Sequence, residues 1–169
     1  MRYLIKYTKE SNIKFISHLD IMRTIQKVVR RAELPVKYSQ GFNPHMALSI
    51  AQPLGVGVYS SGEYMDLILV EEMDVQEIID RLNEKSASGI KFMTATQIPP
   101  TEPNEKKMPQ AMAMIDACRY TIKINYTSVE DLEEEVKALF EKNEWITLKK
   151  SKKAEKEVNI KEFIYEFKF

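Results

Sequence analysis

SHLDIMRTIQKVVRRAELP, residues 17–35, is the stretch on which the fold turns. Ser17 and Asp20 make the Ser-x-x-acid pattern of a capping box, in which side chains satisfy amides that a first helical turn leaves unpaired. Leu19, Met22, Ile25, Val29 and Ala32 then recur on one stripe, the period of a helix with one buried face. Pro35 sets the limit, because proline disfavours helical geometry in the residue before it, so the helix stops by Leu34. One amphipathic helix therefore lies near the start of the chain, and its flanks decide the class.

Both flanks read as strand. Residues 2–8 alternate Tyr3, Ile5 and Tyr7 with Leu4 and Lys6. Beyond the helix, strands near residues 47–52 and over GEYMDLILV, residues 62–70, enclose a connection spaced by Gly55 and Gly57. The glycine-spaced PLGVGVYSSGEY, residues 53–64, lacks the Gly-Lys-Ser/Thr ending of a phosphate loop and reads as a hairpin link. Asp74 is the N-cap of a second helix with Val75, Ile78, Ile79 and Leu82 inward. Gly89 closes the next turn, and IKFMTAT, residues 90–96, is a fourth strand. Strand, helix, strand, strand, helix, strand is the ferredoxin-like βαββαβ order of an α+β domain, an antiparallel sheet with two helices on one side. This first domain spans residues 1–98.

Residues 99–116 hold a cluster of prolines and little apolar periodicity, the mark of a linker or long surface loop. The pattern then restarts over residues 117–169. Residues 118–126 alternate, with Cys118, Tyr120, Ile122 and Ile124 on one side. A capping box at Ser128 and Asp131 opens a helix with Val129, Leu132, Val136, Leu139 and Phe140 inward. ITLKK, residues 146–150, and VNIKEFIYEFKF, residues 158–169, close the chain, the latter with Phe163, Tyr165, Phe167 and Phe169 on one face. The expectation is a second, incomplete ferredoxin-like βαββ unit. The lysine-rich KKSKKAEK, residues 149–156, falls on the tip of its last hairpin.

Composition narrows the function. Of 169 residues, 44% are hydrophobic and 30% charged, as in globular proteins. Twenty-five Lys and Arg against 25 Asp and Glu leave no global field toward nucleic acid or anionic lipid, so polyanion binding has to come from local clusters. No apolar run approaches the roughly 18 residues of a membrane span. The alternating N-terminus is unlike a signal peptide, so the cytoplasm is the expected compartment. A single cysteine, Cys118, excludes an internal disulfide framework and a cluster held by several cysteines of this chain. Its place in an alternating run predicts a small buried hydrophobe. No His, Cys, Asp and Glu group has metal-ligand spacing. Glu63 and Asp66, three apart on a strand, fall on opposite faces and form no dyad.

Two local features carry binding chemistry. On the first helix Arg23, Lys27 and Arg30 share a face, with Arg31 beside them. Five basic residues stand against Glu33 alone between positions 23 and 37. Such a row can meet successive phosphates of a nucleic acid, or be an ordinary solvated face. The second feature is YSQGFNPHM, residues 38–46. Gly41 and Asn43 tolerate positive φ, and Asn43-Pro44 favours a turn, leaving amides to offer an anion. Tyr38 and Phe42 are stacking surfaces, and Ser39, Gln40, Asn43 and His45 carry hydrogen-bonding heads, a set that suits single-stranded nucleic acid or a base-like ligand. The bland alternative is a turn with Phe42 in the core and His45 capping a carbonyl. His45 and His18 are acid–base candidates near neutral pH. They border the same helix-to-strand region, from which they are placed to converge.

The pieces KFISHLD, RRAELP, YSQGFNPH, PLGVGV and SSGEYMDL, in this order from residue 14 to residue 67, resemble the bacterial radical SAM-linked proteins, a domain family of unknown function. Weaker similarity extends over most of the chain. Members occur as separate chains or attached behind a cobalamin-binding radical SAM enzyme. The resemblance thus implies a radical SAM partner carrying an iron–sulfur cluster, S-adenosylmethionine and, in such enzymes, cobalamin, with no cofactor on this chain. The family's pattern falls on Ser17, His18, Leu19, Asp20, Arg30, Arg31, Tyr38, Ser39, Gly41, Phe42, Asn43, Pro44, His45, Gly57, Glu63 and Tyr64, without an assigned role for any. Ala47 stands where a basic residue is expected, and members run further at the C-terminus.

Three functions are expected, in this order. The first is a non-catalytic accessory module that binds RNA or another phosphate-bearing substrate for a radical SAM enzyme. The second is a protein–protein adaptor without nucleic-acid contact. The third is an RNA-processing enzyme that uses His18 or His45 as acid–base.

Overall fold

A computed structural model describes all residues except 103, 105–106, 126–131, 152–153 and 169. The chain divides into two compact units, Met1–Arg119 and Tyr120–Phe169. Unit 1 contains β1 (Arg2–Lys9), α1 (His18–Arg31), β2 (Leu48–Ile50), β3 (Ser60–Ile68), α2 (Val75–Glu84) and β4 (Phe92–Ile98), in the order the sequence predicts. The strands form one antiparallel sheet in the order β4-β1-β3-β2.

Cross-strand neighbours share a face, which places the core. Tyr3 pairs with Leu67 and Gln97, and Ile5 with Met65 and Ala95. Tyr3, Ile5, Tyr7, Met65 and Leu67 are buried in one cluster with Ile21, Ile25, Val28 and Val29 of α1 and Ile78, Ile79 and Leu82 of α2. Both helix starts are capped as expected: Ser17 Oγ accepts from the Asp20 amide at 3.3 Å, and Asp74 Oδ1 from Gln76 and Glu77 at 2.9 and 3.0 Å. The buried stripe of α1 differs from the expected one. Ile21 and Val28 are inside and Leu19 is exposed, because the buried stripe is phased on Ile21, Ile25, Val28, Val29 and Ala32, and Leu19, two residues before Ile21, falls on the opposite side of the helix.

The opposite, outer face carries Arg2, Leu4 and Lys6 of β1, paired with Ile68, Asp66 and Tyr64 of β3 and with Ile98, Thr96 and Thr94 of β4. Part of the stretch expected as linker returns to this face. A 3₁₀ turn, Ala111–Met114, begins with a buried Ala111 whose amide donates to Asp66 Oδ2 at 2.8 Å.

Unit 2 contains α3 (Leu132–Glu141) and a hairpin of β5 (Ile146–Lys150) and β6 (Glu155–Asn159). Of the lysine-rich run, Lys149 and Lys150 end β5 and Lys156 lies near the start of β6, whereas Lys152 and Lys153 fall outside the described residues. Three expectations fail. The inward face of α3 holds no buried residue among the described residues: Leu139 and Phe140 are exposed and Leu132 and Val136 half-buried. Residues 118–125 form no strand and Cys118 is exposed, not buried; alternation alone makes no strand where no neighbour pairs with it. The last strand ends at Asn159, and Phe163 lies in a 3₁₀ turn, so Phe163, Tyr165 and Phe167 do not line a strand face. Instead Phe140 packs edge-on against Trp145 and Phe167, at 5.5 and 4.8 Å between ring centres. Val129 and the expected capping box from Ser128 to Asp131 lie outside the described residues, as do Tyr126 and Phe169.

Candidate functional site

The segment after α1 is seated on the far end of β3. Val36 forms a bridge with Leu69, and the Lys37 amide donates to the Ile68 carbonyl at 2.8 Å. Three rungs then clamp the base of a loop. Ala47 N donates to Lys37 O, Ser39 N to His45 O and His45 N to Ser39 Oγ, each at 2.8 Å, with a Tyr38–Met46 bridge between them. Beyond the rungs residues 40–44 project into solvent. Gly41 has φ +129°, a conformation that side chains resist and glycine allows.

Phe42 at the tip is as exposed as an isolated residue, at 111%, and Tyr38 at the base is 43% exposed. The alternative of Phe42 in the core is thereby excluded. Ser39, Gln40, Gly41, Asn43 and His45 are exposed as well. The amides of residues 40–43 donate no hydrogen bond among the described residues. An aromatic of this size held in water costs solvation free energy that a merely connecting turn has no use for.

On α1, Arg23, Lys27, Arg30 and Arg31 are all exposed. Arg23 pairs with Asp20 at 3.0 Å, one of the groups that, with Ser17 first, hold the Asp20 carboxyl below its usual range. Such an exposed pair contributes little and leaves Arg23 available. Arg30 Nε donates to Gln26 O at 3.3 Å, whereas Arg31 reaches the Lys85 carbonyl at the end of α2, at 3.0 Å. The row of three is therefore outward, and Arg31 turns aside.

The histidines do not converge. His18, the first residue of α1, is exposed and lines a cleft at the start of β3 with Tyr7, Lys9 and Glu63. His45 belongs to the loop at the other end; Glu63 and Ile68 are separated by about 17 Å along the strand. Helix and sheet run between the two sites and hold them apart.

That cleft is the part the sequence reading missed. Lys9 continues the Tyr3, Ile5, Tyr7 alternation by one more step and so turns inward, where it is only 2% exposed. Its Nζ donates to the carbonyls of Ile16, Lys14 and Gly55 at 3.1, 3.2 and 3.5 Å, tying the loop before α1 to the glycine-spaced connection. Gly57 N adds a bond to Lys14 O at 2.8 Å. Burial lowers the Lys9 pKa, with the Glu63 carboxylate opposing. Burial raises that of Glu63, against the pull of the Ser60 hydroxyl and Lys9. The Tyr7 phenol, opposite Glu63 in register, is pushed up by burial and then by Glu63. The cleft has room for about one water molecule, too little for a small-molecule substrate. Among the described residues no group of three His, Cys, Asp or Glu side chains is placed to hold a metal ion.

A family described as "Uncharacterized protein conserved in bacteria (DUF2344)" matches residues 2–169. No curated protein matches the chain.

Proposed function

The chain belongs to this bacterial family, and from its geometry we propose that it is a non-catalytic accessory module that binds RNA or another phosphate-bearing substrate. Unit 1 is read as a ferredoxin-like domain, supported by its element order and the strand order β4-β1-β3-β2. The observation that carries the function is the loop of residues 38–46: a clamped base, a fully exposed Phe42 and amides of residues 40–43 that donate to nothing among the described residues. An exposed ring stacks on any base, and the amides and the Arg23, Lys27 and Arg30 row meet phosphate oxygens. The resemblance to radical SAM-linked proteins supports a radical SAM enzyme as partner, with the cluster, S-adenosylmethionine and any cobalamin on that enzyme, in the cytoplasm. Cys118 alone cannot ligate a cluster.

Binding of single-stranded RNA tests this reading. Affinity should fall with salt, and Arg23→Glu with Arg30→Glu should weaken it and flatten the log–log salt slope by about 1.4, two cations at about 0.7 each for a single strand. Salt-independent binding, or full affinity in the double variant, rejects the RNA module. Co-purification with a radical SAM protein that survives those reversals would favour the adaptor.

A second reading, an RNA-processing enzyme, gains one specific observation: His18 lines a cleft with the half-buried Glu63, whereas His45 has no carboxylate described beside it. RNA cleavage lost in His18→Ala and kept in His45→Ala, with the fold intact, would establish it.

A further inference from the structure

Residues 108–111, which lead into the 3₁₀ turn Ala111–Met114, are held on the outer face of unit 1 by a specific chemistry. Asp66 is almost fully buried there, at 4% exposure. Its Oδ1 accepts from Arg2 Nε at 2.8 Å, and its Oδ2 accepts from the Ala111 amide at 2.8 Å. The two terminal nitrogens of Arg2 donate to the carbonyls of Met108, at 2.8 Å, and Pro109. One guanidinium and one carboxylate, locked to each other, thus satisfy three main-chain groups of residues 108–111. The one side chain taken in is the methyl of Ala111, while Met108, Met112 and Met114 stay exposed.

We infer that this face is a docking site for a peptide segment that presents two carbonyls and an amide beside a small residue, filled in the resting chain by its own residues 108–111 as a displaceable strap. Donor and acceptor are spaced for a peptide backbone, which supplies both carbonyls and an amide; a nucleic acid backbone would set a phosphate against the Asp66 carboxylate. The side-chain requirement is a small residue at position 111. The inference is separate from the loop of residues 38–46, and either can fail without the other.

Ala111→Lys in the full chain empties the site, because a long charged side chain cannot take the place of a buried methyl. Trypsin cleavage after Lys107 should then rise about tenfold, the effect of losing charge-assisted bonds. A labelled synthetic peptide of residues 107–115 should bind this variant, and adding Asp66→Asn should abolish that binding. Unchanged cleavage, or no binding of the peptide to the emptied site, overturns the inference, as does RNA binding there in place of peptide. Hydrogen exchange on the unaltered chain gives an independent reading: the Ala111 amide should be protected, and exchange at the rate of an exposed amide would reject the strap.

Discussion

The two ends of β3 depart from the usual distribution of polar and apolar groups in opposite directions. At the start of the strand a lysine and a glutamate are turned toward the core side, and three loop carbonyls and a serine hydroxyl gather around them. At the other end a phenylalanine is turned fully outward on a loop whose base is clamped by backbone bonds. Buried charge with its partners in place serves to fix loops in one arrangement. Exposed apolar surface on a fixed base serves nothing inside the chain and points to a ligand. The cleft thus ties loops of unit 1 together, whereas the loop of residues 38–46 is the part for which we propose a role outside the chain.

Lys9→Met probes this most sharply. It leaves the Lys14, Ile16 and Gly55 carbonyls without their donor, and stability should fall by about 3 kcal/mol. Chemical denaturation measures it; a loss under about 1 kcal/mol would mean the ammonium does not hold these loops. Phe42→Ala should do the reverse. Stability should change by less than about 0.5 kcal/mol, while RNA affinity drops about tenfold, the scale of one stacked base. A large loss of stability with unchanged affinity would exchange the roles of the two ends.

Glu63→Gln gives the smallest effect and a defined sign. Burial raises the carboxyl pKa in the folded chain above its unfolded value, so the folded state binds the proton more tightly. The resulting contribution is complete below the ordinary glutamate range and is lost as pH rises through the raised value. Relative to Glu63→Gln, the unaltered chain should therefore lose stability across that interval. Parallel stability–pH curves for the two proteins would contradict the burial of this group.

Unit 1 was legible in the sequence because its signals are local and agree with one another. Ser17, Asp74, Pro35 and the period-2 run from Tyr3 mark the ends and faces of elements that the structure contains. Unit 2 was less so. Residues 118–125 alternate like a strand, yet pairing requires a neighbour, and none of the described strands supplies one. At the candidate site, the outward Arg23, Lys27 and Arg30 and the turn at Gly41 were readable from spacing and residue type. Lys9 left a signal in its inward parity, but a charged residue at that parity reads as the end of a strand.

Composition, caps and periodicity by themselves determined an α+β unit with two one-sided helices, because burying one face of each element needs only local pattern. Tertiary structure alone decided that Phe42 is outside, that His18 and His45 lie apart, that Lys9 ties two loops and that Ala111 reaches Asp66. Each of these depends on where segments distant in sequence meet, and a hydrogen bond or a buried surface exists only once both sides are brought together.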